Sequence, residues 1–336
     1  MKKILCVSML LGTLLVGGCG GEKKEVVNEK NDVIVLQFGH DNNPGDPVQE
    51  AALYWAKILD ERSNGTMKLE VFPSGQLGSK SDLIDQMLAG DAIAAIGNGP
   101  FYADRGVPDL GIMQAPYLFE NWEQLDKLVA SDWWKEQMTQ LESKGMKIIG
   151  ENWRYGVRHT ITTKPVKSVK DLKGMKIRTQ NSTIHVKGFE VLGATPTPMA
   201  LSEVYTSLQQ GTIEGLENPL SVIYSGKYQE VAKNLMLDGH IRDLSSIVVG
   251  TSFFNSLTKE QQELLISTCR EAGDYQNKLA EQADIDCLEK LKKEGVKVTE
   301  IDFDEFNEKA KPFYQYKEIT ETWSKGLLER IKEIIK

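Results

Sequence analysis

A helical segment near the C-terminus sets the scale of the fold. It begins at Thr258, with Gln261 three residues later in a capping-box pattern, and it ends at Gly295. About 36 helical residues extend about 54 Å, whereas a lobe of about 130–150 residues is only about 35 Å across. Because the chain has 336 residues, enough for roughly two domains, we expect two lobes with this helix running across both.

Short apolar and β-branched runs alternate with helices in the first part of the chain. Residues 33–38, 67–72, 92–96 and 146–151 have the pattern of strands, and Asp46-Pro47 supplies the N-cap and the first residue of an intervening helix. This alternation predicts an α/β fold with parallel βαβ units. In such sheets ligands bind in the crevice outside the carboxyl ends of the strands. The residues that follow strands are therefore the candidates for a site.

A second set of strands and helices begins near residue 156. Residues 174–179 and 212–216 have the pattern of strands, and residues 235–238 and 246–250 resemble strands that lead back to the first set. This organisation predicts two discontinuous lobes. Lobe I comprises residues 33–155 and 244–283, and lobe II comprises residues 156–243 and 284–336.

The first 32 residues indicate export and anchoring. Lys2 and Lys3 precede an apolar stretch of about 13 residues, which is too short to cross about 30 Å of hydrocarbon. The stretch ends in small residues before Cys19 and resembles a lipobox, although an ordinary signal peptide that contains a Cys has the same pattern. We predict a lipoprotein signal peptide over residues 1–18, then the lipidated Cys19 and a flexible tether over 19–32. The protein should lie outside the cytoplasmic membrane, on the periplasmic side or the surface of a Gram-positive cell.

The charge and the cysteines exclude several classes of protein. The chain has 40 Lys and Arg against 48 Asp and Glu, a net charge of −8, which argues against a nucleic-acid partner because phosphate binding needs clustered cations. Cys6 lies in the apolar stretch and Cys19 in the lipobox. Cys269 and Cys287 lie in the long helix about 27 Å apart, so no disulfide is expected.

No local motif of an enzyme is present. The four histidines do not form HExxH, and GxSxG, Walker A and GxGxxG are absent, so metal-assisted hydrolysis, nucleophile-elbow chemistry and nucleotide binding have no signature. We therefore expect no catalysis, no metal and no cofactor.

Two arginines in the second lobe are candidates for binding an anion. Arg158 and Arg178 each lie at or beside a predicted strand end, and the planar guanidinium holds a carboxylate bidentately and stays charged when desolvated. Asn218, in Glu217-Asn218-Pro219, could donate to the same anion. From the residues alone, two surface arginines and a turn asparagine before proline are the more common explanation of this pattern.

A family resemblance extends over nearly the whole mature chain. Residues 173–178, 194–199, 203–211 and 214–219 resemble the signature of the solute-binding proteins of TRAP transporters, and residues 72–78 and 115–119 also resemble that family. The resemblance implies a two-lobed α/β fold like that of the periplasmic binding proteins. It implies that the protein is not an enzyme but a binding protein, expected to be a monomer, which closes on an organic acid and delivers it to the membrane subunits of a sodium-dependent permease.

The resemblance also implies roles for individual residues. Arg178 would hold the ligand carboxylate bidentately, Arg158 would be the second arginine, Asn218 would complete the clamp, and Asn181 would add a polar contact. Residues of the first lobe would face the rest of the ligand, and His240 could approach the cleft or serve the hinge or core. The remaining members of the predicted ligand-binding set are His40, Asp41, Lys80 and Asn98.

The ligand class is the least determined feature. The positions of Lys80 and Asn98 are acidic in sialic-acid-binding members and that of Leu201 is aromatic, which argues against sialic acid. The polar first-lobe set suits hydroxyl groups and favours a sugar acid such as a uronate or a keto-sugar acid. A C4-dicarboxylate, with Lys80 as the second cation, is one alternative. A sensor module for a receptor kinase is another and would share this sequence.

Overall fold

The computed structural model describes residues Val33–Lys336, so the predicted signal peptide, Cys19 and the tether lie outside the described residues. Within this range, nine strands form one mixed sheet. They are β1 (Ile34–Gly39), β2 (Met67–Phe72), β3 (Ile93–Gly97), β4 (Met146–Thr162), β5 (Lys176–Thr179), β6 (Thr195–Pro198), β7 (Gly215–Pro219), β8 (Asn234–Gly250) and β9 (Lys297–Thr299).

Helices cover both faces of the sheet, and their starts follow local capping signals. Asp46 caps α1 by accepting from Val48 N at 3.0 Å, with Pro47 as the first helical residue, as predicted. The helices are α1 (Pro47–Arg62), α2 (Lys80–Ala89), α3 (Gly99–Ala103), α4 (Trp122–Val129), α5 (Asp132–Ser143), α6 (Thr183–Val191), α7 (Val204–Gln209), α8 (Leu220–Ser225), α9 (Thr251–Ser256), α10 (Lys259–Lys293), α11 (Phe303–Ala310), α12 (Lys317–Thr320) and α13 (Leu327–Ile335).

Two parallel sets of strands are joined by two long antiparallel strands. The strand order is β2-β1-β3-β8-β4-β7-β5-β6, with β9 beside β8. β1 pairs in parallel with β2 and β3, and β5 pairs in parallel with β6 and β7. β8 pairs with β3, β4 pairs with β7, and β4 and β8 pair with each other. The predicted two-lobed α/β fold is confirmed, whereas the exact lobe boundaries stay a prediction.

β4 and β8 are longer than the sequence pattern indicated. Each has 17 residues, whereas the pattern predicted a strand over 146–151 and two separate strands over 235–238 and 246–250. Register shifts divide the β4–β8 ladder, one of them between Arg154 and Gly156, and bulges of this kind bend and twist a strand. Gly156 has φ 137°, and a Cβ there would lie 2.7 Å from Pro219 Cβ. Only glycine fits at this point of the bend.

Helix α10 follows the prediction closely. Thr258 and Gln261 form the capping box, and Gly295 has φ 85° just beyond the helix end. Its 35 residues extend about 53 Å. The helix is held against β4 by side-chain amides, since Gln276 donates to Arg154 O at 2.9 Å and Asn277 accepts from Arg154 N at 2.8 Å. These amides pair backbone groups that the irregular ladder leaves free.

The core divides into clusters on the two sides of the sheet. One cluster packs α1 and α10 on the first parallel set around Trp55 and Trp153, and another packs α7, α8 and the end of α10 on the second set around Leu216 and Leu291. A third, from Leu83 to Ile335, covers the other face. Cys269 and Cys287 are free, as predicted. Among the described helices none combines the length and apolar character needed to cross a membrane.

Candidate ligand-binding site

The carboxyl ends of β1, β3 and β5 open onto a cavity of about 410 Å³. It adjoins a second cavity of about 610 Å³ that Asn181 lines. Three charged residues, Asp41, Lys80 and Arg178, line both cavities. Together the two cavities match the crevice expected for an α/β sheet. Six of the nine predicted site residues line the first cavity: Asp41, Lys80, Asn98, Arg158, Arg178 and Asn218.

Arg178 is a buried cation without a carboxylate partner among the described residues. It lies in β5 and is only 3% exposed. Its Nε and Nη2 donate to the carbonyl oxygen of Met199 at 3.0 and 2.8 Å, which fixes the plane of the guanidinium. Burial lowers the pKa of Arg178, and nearby Glu217 offsets this only in part. Its charge, and Nη1 in particular, remain available to an anion in the cavity.

Arg158 has the opposite environment. It is 1% exposed, and its Nε and Nη2 donate to the two carboxylate oxygens of Glu217 at 2.5 and 2.9 Å, while Nη1 donates to Asp243 Oδ2 at 2.8 Å. Burial alone would lower the pKa of Arg158, but the two carboxylates outweigh it and raise the pKa. Its charge is therefore matched by protein anions, although the side chain still lines the cavity.

The ionic cluster around Arg158 continues away from the cavity. His240 Nε2 lies 3.2 Å from Glu217 Oε2, and His240 Nδ1 lies 2.9 Å from Asp238 Oδ2. Asp238 also accepts from the backbone N and the hydroxyl of Thr160 at 3.0 and 2.8 Å. Burial would lower the pKa of His240, but the Asp238 and Glu217 carboxylates raise it to about 9. His240 is not among the residues that line the cavity. Its ring contacts the Glu217 carboxylate and helps to hold it in position.

Four amide side chains line the cavity: Asn42, Asn98, Gln180 and Asn218. Asn218 is buried, and its side chain makes no hydrogen bond within residues 33–336. Asn98 accepts from Phe101 N at 3.2 Å and so caps α3, and its Nδ2 donates to Gln180 Oε1 at 3.1 Å. This bond joins the end of β3 to the end of β5, so it links the two parallel sets across the crevice.

Lys80 and Asp41 supply further charges on the first-set wall. Lys80 is the first residue of α2, and its Nζ lies 5.6 Å from the centre of the Phe101 ring. Neither Lys80 nor Asp41 forms a salt bridge with a described residue. Burial lowers the pKa of Lys80 and raises the pKa of Asp41, and each charge partly offsets the shift of the other.

The structure does not bring His40 to the cavity. The prediction relied on its position directly after β1, but its Nε2 pairs with Gln49 Oε1 at 2.8 Å and its ring packs against Phe38. Burial lowers the pKa of His40 to about 4. The ring therefore serves the packing between β1 and α1, and its neighbour Asp41 takes the place at the cavity.

Other residues at the cavity were not predicted. Gln180 directly follows β5, so the strand-end rule covers it, although no specific role was assigned to it. Tyr155 lines the cavity and accepts from Asn42 Nδ2 at 2.9 Å. Asp243 and Ser245 lie within β8, where the sequence pattern indicated a break between two strands, and no sequence signal identifies them as cavity residues.

Comparison with known proteins agrees with this architecture. Residues 38–321 match the family described as bacterial extracellular solute-binding protein, family 7. The chain belongs to this family. It is 33% identical over 275 residues to the 2,3-diketo-L-gulonate-binding periplasmic protein of Escherichia coli K12, a match that covers 81% of this chain and 83% of that protein.

Solved structures lead to the same family. A TRAP periplasmic solute-binding protein from Ochrobacterium anthropi with bound L-fuconate has a TM-score of 0.87 and 39% identity, covering 90% of this chain and 100% of that one. A TRAP protein from Actinobacillus succinogenes 130Z with bound L-galactonate has a TM-score of 0.86 and 40% identity, covering 90% and 99%. The protein is thus an extracytoplasmic solute-binding protein of the TRAP type and not an enzyme.

Proposed function

We propose that this protein captures an organic acid, specifically a sugar acid such as a uronate or a keto-sugar acid, and delivers it to the membrane subunits of a TRAP permease. The observation that carries the proposal is Arg178. A buried guanidinium without a carboxylate partner is costly to leave unpaired, and an anionic ligand in the adjoining cavity would supply the missing charge.

The carboxylate of the ligand would meet three groups. Arg178 supplies the charge and a fixed donor plane, Asn218 supplies an amide without a partner within the described chain, and Arg158 contributes its remaining Nη1 hydrogen. Because Arg158 already balances Glu217 and Asp243, we assign the larger share of the binding free energy to Arg178. Asn181, at the adjoining cavity, would contact the ligand from the same set of strands.

The other wall favours a polyhydroxylated ligand. Asp41, Lys80 and Asn98 combine a carboxylate, an ammonium and an amide, which can accept from and donate to hydroxyl groups. Relatives at 39% and 40% identity carry L-fuconate and L-galactonate, which supports a ligand of this class. The unpaired Lys80 favours the second candidate, a C4-dicarboxylate, whose second carboxylate it could meet.

Closure of the lobes follows from the same geometry. Arg178 and Asn218 belong to the second strand set, whereas Asp41, Lys80 and Asn98 belong to the first. A ligand held by the second set gains the first-set contacts only when the crevice is closed, and this differential affinity shifts the population towards the closed form. The hydrogen bond between Asn98 and Gln180 would further stabilise the closed form.

We further propose that lipid on Cys19 anchors the protein outside the cytoplasmic membrane, with residues 19–32 as the tether. Mass spectrometry of the membrane-extracted protein should find a diacylglycerol modification on an N-terminal Cys19. Recovery of an unmodified chain that begins at another residue would contradict the proposed lipid anchor. The proposed binding function would be unaffected.

A ligand screen with a matched variant tests the binding function. Thermal melting of the purified Cys19→Ala protein would be measured against uronates, aldonates, keto-sugar acids, sialic acid and C4-dicarboxylates. A bound acid raises the melting temperature by mass action, and calorimetry then gives its Kd. Arg178→Ala should weaken binding at least about 100-fold and keep a cooperative melt. Near-wild-type affinity in Arg178→Ala would show that the assigned clamp is wrong, and a response to succinate or malate alone would select the dicarboxylate.

A further inference from the structure

Cations and carboxylates lie around the cavity in equal number, but only some of them are paired. Lys80, Arg158 and Arg178 supply three positive charges, and they face the carboxylates of Asp41, Asp243 and Glu217. Glu217 and Asp243 are both bonded to Arg158. Asp41 is thus the one acidic residue among those lining the described cavity that has no salt-bridge partner there.

The backbone around Asp41 is held in place. His40 N donates to Phe72 O at 3.1 Å, Ser74 N donates to Asn42 O at 3.0 Å, and Gly75 N donates to His40 O at 3.0 Å. Three backbone bonds therefore clamp the segment that carries Asp41 onto the turn after β2.

The turn after β2 also lies beside the carboxylate of Asp41. A Cβ built on Gly75 would lie at an ordinary van der Waals distance, 3.6 Å, from Asp41 Oδ1, so the carboxylate lies close to this turn. A held backbone and a side chain close to the turn limit the distance by which Asp41 can retreat from a ligand.

A ligand with one carboxylate and a ligand with two meet this site differently. The first carboxylate pairs with Arg178. A second anionic group would then have to lie in a partly buried cavity together with Asp41, and the repulsion between like charges at such a site weakens binding. Hydroxyl groups meet no such repulsion, since they donate to Asp41 and accept from Lys80.

From this placement we infer that Asp41 determines specificity by limiting the cavity to ligands with a single anionic group. Asp41 accepts hydrogen bonds from ligand hydroxyls and repels a second carboxylate. Lys80, which lines the same cavity as Asp41, becomes the partner of a second carboxylate once the charge of Asp41 is removed. The inference rests on the proposed function and narrows its substrate class to polyhydroxylated monocarboxylates.

Burial and the neighbouring cations act on the pKa of Asp41 in opposite directions. Burial raises the pKa of Asp41, and the charges of Lys80 and Arg178 oppose that rise. Lys80 and Arg178 thus favour the charged form of Asp41, the form that repels a second anion.

Matched pairs of sugar acids test the inference. L-Galactonate and galactarate differ only at the terminal carbon, which carries a hydroxyl in the first and a carboxylate in the second, and L-gulonate and glucarate form a similar pair. Calorimetry on the Cys19→Ala protein should give at least about 100-fold tighter binding of the monocarboxylate in one pair or both. Asp41→Asn should reduce this ratio at least tenfold, with a gain of affinity for the diacid, and adding Lys80→Met should reverse the gain.

Two controls separate the possible outcomes. Asp85→Asn removes an equal charge from the exposed face of α2, outside the cavity lining, and should leave the ratio unchanged; melting curves verify that every variant is folded. Equal wild-type affinity for both members of a pair, or an unchanged ratio in Asp41→Asn, would overturn the inference about Asp41 and leave the sugar-acid function intact. A wild-type protein that binds no sugar acid but binds succinate would overturn both.

Discussion

Two buried arginines line the same cavity and are held in opposite ways. Arg158, on β4, is bonded by Glu217 and Asp243, and through Glu217 it connects to His240 and Asp238. Arg178, on β5, has one hydrogen-bond partner within residues 33–336, the carbonyl oxygen of Met199. The first is a structural ion cluster within the sheet, and the second is a positive charge that the fold leaves unmatched.

The difference shows how the site divides its tasks. The Arg158 cluster joins β4, β7 and β8 at the point where those strands cross the crevice, and it supports Glu217, the neighbour of Asn218. The Met199 carbonyl orients the Arg178 guanidinium but does not neutralise its charge. A ligand anion can therefore neutralise it. Unmatched polar groups of this kind commonly lower the stability of a binding site relative to the rest of a fold. Stability should therefore depend on Arg158 and affinity on Arg178.

The largest expected effect comes from removing Arg158. Arg158→Met leaves Glu217 and Asp243 buried without their cation, and loss of one partner from a buried ion pair typically destabilises by about 3–5 kcal/mol. The free energy of unfolding, measured in urea, should fall by that amount.

Arg178→Met is the matched control, because it makes the same chemical change at a site without a carboxylate partner. We expect it to change the unfolding free energy by less than about 1 kcal/mol, or to raise it, since a buried unmatched charge is removed. Equal losses of stability in the two variants would abolish the distinction between the two arginines.

A smaller effect should follow from titrating His240. Its pKa is raised to about 9 in the folded protein, against about 6.5 when unfolded, because the Glu217 and Asp238 carboxylates favour its charged form. The stabilisation is fully present below about pH 6.5 and is lost as the pH rises through about 9. It amounts to at most roughly 3 kcal/mol.

The measurement compares unfolding free energies of wild type and His240→Gln between pH 6 and 10. The difference between the two proteins should shrink as the pH rises, whereas binding through Arg178 should stay within a fewfold over the lower part of this range. A difference that does not vary with pH would mean that His240 is neutral in the folded protein.

Local signals predicted the helices well, and long-range pairing explains what they missed. The caps at Asp46 and Thr258 act on neighbouring residues, so the sequence alone locates them. β4 and β8 were predicted in pieces because polar residues interrupt their apolar pattern. In the fold these residues are buried by partners far along the chain, since Arg158 pairs with Glu217 and Asp243, 59 and 85 residues away.

The same limit applies to the site. The strand-end rule and the family resemblance identified Arg178 and Asp41, whose positions follow from the sheet. They also selected His40, because sequence position after a strand does not reveal that Gln49 of α1 takes up the imidazole. The contrast between Arg158 and Arg178 was not predictable either, since both have the same residue type and similar strand contexts.

The smallest expected effect tests whether closure is coupled to the Arg178 side of the site. Asn43, in the loop after β1, donates to Ser225 O of α8 at 3.3 Å and accepts from Ser74 Oγ at 2.8 Å. It links the two predicted lobes without lining the ligand cavity. Asn43→Ala removes about one hydrogen bond from the closed form, about 0.5–1.5 kcal/mol, so ligand affinity should fall roughly two- to tenfold.

Ligand dissociation rates show whether the Asn43 hydrogen bond acts on the closed form. If the bond forms only on closure, the loss should lie mainly in a faster dissociation rate, and the unfolding free energy without ligand should change little. Ser74→Ala is the control, because it removes the partner of Asn43 within the first lobe and leaves the bond to Ser225 intact. A loss of affinity in Ser74→Ala as large as that in Asn43→Ala would assign Asn43 to the stability of its own loop. The same conclusion would follow if Asn43→Ala lowered the free energy of unfolding by as much as it weakened the free energy of binding. Affinity would then depend on the contacts to Arg178 and the first-set wall alone.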